Sequence, residues 1–344
     1  MSASNFAPLF GYVRSLVGEG PGRLPSAVIG VADRSGILDV HAFNATEDAI
    51  YLLFSVTKPF VGLAMCQLWE RGQINLNDPL RNYVPDFAPA RTDSVTLWHL
   101  LTHTSGIDQA AFELQRTPSF PDAHVINPRT LMRLAPMQFL AGTHRLYNNL
   151  AFWAMQEVIE TVSGMPLQAY LAQNVFAPLG AKDFSFFSQI ESHARVMPTH
   201  NSEKLINYAR YVQQESPAAG LFSTAQGLLT VGSALLNGGG LNGQRILAPM
   251  TLREMTRPQT RGIPLANPDQ DHMFADWGLT FQLNGNRTFI IGDNLFGHNG
   301  WGGCKFWIYP DQGVCFALMT NLMDAGLLGI DLDRVHNVFA ACLG

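Results

Sequence analysis

Charged residues are scarce in this sequence, and they form no basic cluster. Only 14% of the 344 residues are Asp, Glu, Lys or Arg, against roughly 25% in an average soluble domain. Lys and Arg total 22, and Asp and Glu total 27, which gives a formal net charge of −5. Because a nucleic-acid-binding surface needs concentrated Lys and Arg, nucleic acid is not an expected partner.

Long apolar runs are also missing. A membrane-spanning helix needs about 18 or more consecutive apolar residues. The nearest candidate, Gly220 to Leu236, is interrupted by polar residues such as Ser223 and Gln226, so no contact with a membrane is expected. The first charged residue, Arg14, lies inside an amphipathic pattern and not before an unbroken apolar stretch, so no export signal is expected either.

Cysteine is sparse and shows no C-x-x-C spacing. The four cysteines are Cys66, Cys304, Cys315 and Cys342. Scattered cysteines in a long chain without an export signal are typical of free buried thiols and not of a disulfide framework. The sequence therefore predicts a reducing, cytoplasmic location.

Strand patterns lie near both ends of the chain. Ser26 to Ala32 and Ile37 to Phe43 are rich in β-formers and flank a turn sequence. Lys305 to Tyr309 and Val314 to Thr320 repeat this arrangement near the C-terminus. Two hairpins from opposite ends predict one antiparallel sheet.

The middle of the chain has helical periodicity. The segments predicted as helices are Phe60 to Trp69, Leu97 to Thr102, Asn149 to Val162, Leu167 to Asn174 and Ala225 to Leu236. We therefore predict an α+β fold with an antiparallel sheet flanked by helices. Residues 1–75 and 260–344 would form the sheet domain, residues 76–259 a mostly helical domain, and the active site would lie in the cleft between them.

A serine and a lysine occur three residues apart where a short apolar run gives way to a helix. In Ser55-Val56-Thr57-Lys58 this spacing places both side chains on one helix face, beside N–H groups that could hold developing negative charge. Such a lysine can accept the serine proton only if its surroundings lower its pKa. The alternative is a helix-capping serine with a surface lysine.

Two further motifs could complete such a site. Tyr147-Asn148-Asn149 supplies a phenol that could share a proton with Lys58 and an amide that could bind a substrate carbonyl. His298-Asn299-Gly300-Trp301-Gly302-Gly303 combines a strand with small residues that would allow a ligand close to the backbone. Each motif is weak alone, and the second could be an ordinary glycine turn.

In this order, S-x-x-K, Y-x-N and a late x-x-G strand resemble the serine β-lactamase and penicillin-binding protein superfamily. Further stretches are similar to its class C branch and to the related family VIII carboxylesterases. They are Leu100 to Gly106, Val162 to Gly164, Pro178 to Gly180, Leu235 to Gly239 and Arg245 to Leu247. The resemblance covers nearly the whole chain and implies a β-lactamase/transpeptidase-like fold.

The resemblance also implies roles for individual residues. Ser55 would be the acylated nucleophile, Lys58 and Tyr147 a coupled proton-transfer pair, and Asn149 a substrate-orienting amide. The backbone N–H groups of Ser55 and Trp301 would form the oxyanion hole. His298 and Gly300 would line the substrate-binding strand. No cofactor or metal is implied.

One position departs from the pattern of the superfamily. Where β-lactamases and peptidases carry K-T-G, this chain has His298-Asn299-Gly300. Histidine is mostly neutral at pH 7, so the usual cationic anchor for a substrate carboxylate is weakened. This favours a serine esterase acting on a small-molecule carboxylic ester. The alternatives are an acyltransferase, a β-lactamase or D-aminopeptidase-type amide hydrolase, and a non-catalytic binding or assembly protein.

Other enzyme classes have little support. The sequence contains no G-x-S-x-G, so the nucleophile elbow of an α/β-hydrolase is absent. His99 and His103 have the spacing of a zinc pair, but no H-E-x-x-H accompanies them. The sequence does not predict an oligomeric state.

Overall fold

The structure is a computed structural model that describes residues 3–87, 95–190, 192–267, 276–283, 290 and 294–343. The helices are α1 (Ala7–Leu16), α2 (Lys58–Glu70), α3 (Leu97–Leu101), α4 (Ala110–Gln115), α5 (Pro128–Leu134), α6 (Ala151–Ser163), α7 (Leu167–Leu171), α8 (Ala177–Leu179), α9 (Phe187–Ile190), α10 (Tyr208–Gln213), α11 (Ala225–Leu236), α12 (Pro249–Thr256) and α13 (Arg334–Ala341). The strands are β1 (Ala27–Asp33), β2 (Gly36–Phe43), β3 (Tyr51–Leu52), β4 (Phe222–Ser223), β5 (Gly240–Leu241), β6 (Gln244–Arg245), β7 (Gln282–Leu283), β8 (Phe296–Asn299), β9 (Lys305–Tyr309) and β10 (Val314–Thr320).

The two ends of the chain meet in one antiparallel sheet. Within the described residues its strand order is β2-β1-β10-β9-β8-β7. Strand β1 pairs with β10 from Ala27 opposite Thr320 to Asp33 opposite Val314. The predicted sheet from both chain ends is confirmed, because β1 from the N-terminal part pairs with β10 from the C-terminal part inside it. The domain boundaries remain a prediction.

Strand β1 is buried on both faces because helices cover the sheet from both sides. Val28 and Ala32 pack into the larger core with α11, whereas Ile29 and Val31 pack into a second core beneath α1 and α13. Successive side chains of a strand point to opposite faces of the sheet. Because both faces are covered here, residues at successive positions are apolar and the strand is a continuous apolar run. Helix α11 lies close to the sheet at Gly232, where a Cβ atom would come within 2.5 Å of the Cys315 Sγ.

Helix α2 runs through the larger core. Its residues from Lys58 to Leu68 are all buried, so this stretch has no solvent-exposed face. It packs against α6, and the 3₁₀ turn Phe54–Thr57 leads directly into it. The only polar side chains that this helix buries are Lys58 and Gln67, so each needs hydrogen-bonding partners inside the protein.

Two local predictions needed correction. The segment predicted as a helix from Leu167 to Asn174 is α7 followed by a π-helical turn, Ala172–Phe176. Strand β8 ends at Asn299, so only His298 and Asn299 of the predicted x-x-G motif lie in a strand, and Gly300–Gly303 form the turn between β8 and β9. The sequence does not predict helices α4, α5, α8, α9, α10, α12 and α13. None of the helices in the described part of the chain has the length and apolarity to cross a bilayer.

Candidate active site

Ser55 lies in the 3₁₀ turn between β3 and α2. The preceding residue, Phe54, has φ +48°, which is uncommon and strained for a non-glycine residue. Its ring is fixed by packing against Tyr211 and Trp301, with centroid distances of 5.6 and 6.3 Å. This turn places the half-buried Ser55 side chain at the wall of a cavity.

The Lys58 ammonium group is enclosed by three oxygen atoms. Lys58 Nζ lies 3.1 Å from Ser55 Oγ, 2.8 Å from Asn149 Oδ1 and 3.0 Å from the Ala218 carbonyl oxygen. The side chain is fully buried. Burial lowers the pKa of Lys58 well below its ordinary value; nearby Arg116 lowers it further, and Glu113 acts in the opposite direction.

These contacts define what a neutral Lys58 amine can do. A neutral amine has two N–H donors and one lone pair, and the Asn149 and Ala218 oxygens can only accept hydrogen bonds. Both N–H groups therefore go to these two oxygens, which leaves the lone pair facing Ser55 Oγ at 3.1 Å. In this state Lys58 can accept the Ser55 proton.

The Tyr147 hydroxyl donates a hydrogen bond to Ser55 Oγ, at 2.8 Å. Burial raises the pKa of Tyr147 above its ordinary value, although the hydrogen bond to Ser55 counteracts this. The phenol therefore keeps its proton and can donate it. Its ring packs against His103, Trp277 and His298, with centroid distances of 4.7, 5.6 and 6.3 Å.

Asn149 is held at both ends of its amide group. Its Oδ1 accepts from Lys58, whereas its Nδ2 donates to Glu113 Oε1 at 2.9 Å. Its backbone N–H donates to Gln109 Oε1 at 2.7 Å, and Gln109 Nε2 donates to the Tyr147 carbonyl at 2.9 Å. These contacts connect the Y-x-N segment to helix α4.

His298 is a neutral residue in the interior. It is 1% exposed, and its Nδ1 donates to the Asn299 carbonyl at 2.7 Å. Burial lowers the pKa of His298 well below its ordinary value, and the neighbouring Lys58 adds to this. Since His298 pairs with Phe306 in β9, its side chain is on the sheet face that carries the larger core, beside Tyr147.

Asn299, opposite Lys305 in β9, lies on the other face of the sheet. Its Oδ1 accepts from Lys305 Nζ at 3.2 Å and from Trp307 Nε1 at 2.9 Å. Lys305 also pairs with Asp333 at 2.6 Å. The lysine opposite the x-x-G strand is therefore already paired with a carboxylate, on the sheet face opposite to His298.

The Gly300–Gly303 turn brings Trp301 to the edge of the site. Gly300 donates its N–H to the Cys304 carbonyl at 2.7 Å, and the Trp301 indole donates to Asp324 Oδ1 at 2.5 Å. Among the described residues, the Trp301 backbone N–H has no acceptor. It is thus available as a hydrogen-bond donor, as the resemblance implied for an oxyanion hole.

Gly300→Ala should damage this turn. A Cβ atom at Gly300 would lie 2.2 Å from the Leu53 carbonyl oxygen, so the turn would have to move away from the Ser55 segment. We expect kcat to fall by about 10²- to 10³-fold through the misplaced Trp301 donor, and the free energy of unfolding to fall by about 1–3 kcal/mol. Ester kinetics and urea unfolding measure both effects. In Gly18→Ala, where the added Cβ meets only the Arg23 side chain, at 3.6 Å or more, neither value should change. Unchanged activity in Gly300→Ala would contradict the expectation.

Two cavities meet at Tyr147 and Trp301. The first, of about 650 Å³, borders Ser55 and Asn149 and is called the Ser55 cavity. The second, of about 750 Å³, borders His298, Gly300 and the 324–333 loop and is called the β8 cavity. The structure thus brings all seven predicted site residues around one junction, with Ser55, Lys58, Tyr147 and Asn149 in one hydrogen-bond network.

Sequence reasoning missed several neighbours of this network. Gln109, Glu113 and Arg116 line the Ser55 cavity, and the Ala218 carbonyl holds Lys58. None of these residues belongs to a motif with known spacing to Ser55. The i,i+3 spacing of Glu113 and Arg116 could have indicated an ion pair but not its location. His99 and His103 were considered above as a zinc pair. The Nδ1 atom of His99 accepts a hydrogen bond from the backbone N–H of Thr96, and that of His103 accepts one from the backbone N–H of Asn148.

Comparisons with known proteins agree with this architecture. The sequence model of the family described as Beta-lactamase matches residues 13–338. A penicillin-binding protein homolog from Caulobacter crescentus superposes with a TM-score of 0.79 at 21% identity, covering 99% of this chain and 98% of that chain. EstCE1, described as a hydrolase with promiscuous acyltransferase activity, superposes with a TM-score of 0.78 at 18% identity, and the match covers 99% of each chain. A family VIII carboxylesterase superposes with a TM-score of 0.74 at 23% identity, covering 99% of this chain and 98% of that chain.

These likenesses confirm the predicted α+β fold of the β-lactamase/transpeptidase type. At identities this low, a solved structure establishes a shared architecture and no shared reaction. The choice among reactions has to be argued from the side chains around Ser55.

Proposed function

Since this chain belongs to the beta-lactamase family, within the serine hydrolase superfamily, we propose that it cleaves carboxylic esters through an acyl-enzyme on Ser55. The observation that carries the proposal is the pair of contacts on Ser55 Oγ. Lys58 Nζ lies 3.1 Å away with its lone pair available, and the Tyr147 hydroxyl donates at 2.8 Å. A nucleophile between a neutral amine and a protonated phenol has both the base and the acid that acyl transfer needs.

In the acylation step, Ser55 Oγ attacks the ester carbonyl carbon while its proton passes to Lys58 Nζ. The carbonyl oxygen becomes negatively charged in the tetrahedral intermediate, where the backbone N–H groups of Ser55 and Trp301 would stabilise it. The bond to the alkoxide then breaks, and the leaving oxygen takes the Tyr147 proton. The proton held by Lys58 restores Tyr147.

The two cavities divide the substrate between them. The acyl group stays bonded to Ser55, so it occupies the Ser55 cavity, which Ser55 and Asn149 line. The leaving alcohol takes its proton from Tyr147 and departs through the β8 cavity, which Tyr147 also borders. Water enters from the same side and releases the acid, with Lys58 and Tyr147 again handling the proton.

The x-x-G strand favours esters over substrates with a carboxylate anchor. His298 is neutral and buried, and Lys305 is paired with Asp333 on the other sheet face. Neither residue supplies the free cation that would hold the carboxylate of a penicillin or a D-alanyl peptide. A simple ester needs no such cation, because nucleophile, base, acid and oxyanion donors suffice.

Parallel kinetics on p-nitrophenyl esters and nitrocefin test this proposal. We expect release of p-nitrophenol from short and medium acyl esters, with kcat/KM at least about 100-fold above that for nitrocefin. The Ser55→Ala variant is the control in both assays. Nitrocefin turnover with inert esters would replace the esterase proposal with a β-lactamase, and inactivity in both assays would favour a non-catalytic binding protein.

Acyl transfer to an alcohol is the second candidate activity. The β8 cavity, of about 750 Å³, has room for an acceptor alcohol in place of water beside Tyr147. EstCE1, which shares this fold, is described as having promiscuous acyltransferase activity. Incubation with vinyl acetate and benzyl alcohol distinguishes the two outcomes, since benzyl acetate forms only by transfer and acetate alone forms by hydrolysis.

A reducing compartment fits the cysteine environment. All four cysteines are free and buried. Burial also raises the pKa of the Cys66 thiol, which makes it unreactive. These features support the proposed cytoplasmic location.

A further inference from the structure

The Ser55 cavity carries a carboxylate beside the reacting atoms. Glu113 projects from the short helix α4 into this cavity, and its side chain is 38% exposed. Its Oε1 accepts from Asn149 Nδ2 at 2.9 Å, and its Oε2 accepts from Arg116 Nη1 at 2.5 Å. Asn149 in turn contacts Lys58, so Glu113 is two hydrogen bonds away from the Lys58 amine.

The Glu113 carboxylate has acceptor capacity left over. An ionised carboxylate offers about four lone-pair sites, and the described contacts use one on each oxygen. Because more than a third of the side chain is exposed, the remaining lone pairs are open to a group that enters the Ser55 cavity. A group that donates hydrogen bonds can use them, whereas another carboxylate cannot.

Arg116 also borders the Ser55 cavity but offers it little open charge. Its side chain is 10% exposed and is already bonded to Glu113. Its guanidinium carbon lies 4.9 Å from the centroid of the Tyr211 ring and 5.7 Å from that of Trp301, so aromatic side chains cover it. The part of this ion pair that is open to a substrate is therefore the Glu113 carboxylate.

We propose that Glu113 determines the acyl specificity of the enzyme, by favouring acyl groups that carry an ammonium or hydroxyl donor over acyl groups that carry a carboxylate. This inference rests on the proposed ester hydrolysis at Ser55. It adds a substrate class to it, namely esters of amino- or hydroxy-substituted carboxylic acids. Glu113 acts on the bound acyl group and on Asn149, and it takes no proton in the reaction.

Three ethyl esters of similar size test the proposal. β-Alanine ethyl ester, ethyl butanoate and monoethyl succinate place an ammonium, a methyl or a carboxylate at the end of a short acyl chain. We expect wild-type kcat/KM for the β-alanine ester to exceed that for the succinate ester by about 100-fold, because the carboxylate attracts the first and repels the second. In Glu113→Gln this ratio should fall to within about threefold of unity. Because the ratio compares substrates within one variant, a general loss of activity cancels.

Asp108→Asn is the matched control. It removes the same charge from the same cavity wall, but Asp108 bonds to the Ala110 N–H and not to Asn149. Its ratio should stay within about threefold of the wild-type value. An unchanged ratio in Glu113→Gln, or an equal change in both variants, would overturn the assignment to Glu113.

Boronic acids separate this inference from the proposed function. They form tetrahedral adducts with a nucleophilic serine without being turned over, so they report on the cavity even if no ester is hydrolysed. We expect meta-(aminomethyl)phenylboronic acid to bind the wild type about tenfold more tightly than meta-carboxyphenylboronic acid, and to lose that advantage in Glu113→Gln. If the ethyl esters are not hydrolysed but the boronic acids bind in this order, the proposed ester hydrolysis is wrong and the role of Glu113 is supported. Equal boronate affinities would overturn the role of Glu113.

Discussion

Ser55→Ala is expected to reduce ester hydrolysis by roughly 10⁴- to 10⁶-fold, the loss seen when a covalent nucleophile is removed from a serine hydrolase. The reason is that Ser55 Oγ is the atom on which Lys58 and Tyr147 converge, at 3.1 and 2.8 Å. Initial rates with a p-nitrophenyl ester give the loss directly.

The variant should nevertheless fold. Lys58 keeps its contacts with Asn149 and Ala218, and Ser55 is only half-buried, so water can take over the contact with the Tyr147 hydroxyl. We expect the free energy of unfolding to change by less than about 1.5 kcal/mol. Ser223→Ala is the matched control, since Ser223 lies in β4, opposite Tyr51 of β3, and is fully buried. The Ser223→Ala variant should stay active. A fluorophosphonate should label Ser223→Ala and should not label Ser55→Ala. Turnover retained by Ser55→Ala would exclude Ser55 as the nucleophile.

The sheet could be predicted because its signals are local. A strand buried on both faces is a continuous apolar run, and turn residues at 33–36 and 310–313 mark both hairpins. Helix α11 was predicted from Ala225 to Leu236, the same range as in the structure, because its apolar residues recur at helical spacing over the whole segment. Several other helices could not be predicted because few of their residues are buried; in α13 these are Val335, His336 and Phe339.

The site could be predicted only where a motif fixes the spacing. Ser55 and Lys58 are three residues apart, whereas Tyr147 and His298 were linked to them by family resemblance. Nothing in the sequence connects Glu113 to Asn149, because that contact depends on how the loop before α4 folds back over the Y-x-N segment. The Ala218 carbonyl is a backbone group, so no residue type could have indicated it.

Lys58→Ala and Tyr147→Phe are expected to reduce kcat by about 10⁴-fold and 10²-fold, the upper and lower ends of general acid–base effects. Combined, they should cost about 10⁴-fold, far less than the product of the two losses. Both groups act on the same oxygen, and Lys58 Nζ lies 4.7 Å from the centroid of the Tyr147 ring. Once Lys58 is missing, no proton relay remains for Tyr147 to complete.

The pH profile separates a base from a structural residue. Since burial lowers the pKa of Lys58, the wild type should hold a neutral amine at pH values where a solvent-exposed lysine, with a pKa of about 10.4, is still charged. The kcat/KM should therefore rise with pH and reach a plateau well below pH 10. As the pH is lowered from that plateau, kcat/KM should fall, because protonation of Lys58 removes its lone pair. In Lys58→Ala the residual rate should lose this rising limb, whereas Tyr147→Phe should keep it. Tyr208→Phe removes a half-buried phenol hydroxyl that bonds to Thr199, and should change neither rate nor profile. Multiplicative losses in the double variant, or a rising limb that survives in Lys58→Ala, would mean that Lys58 positions Ser55 and that the proton leaves by another route.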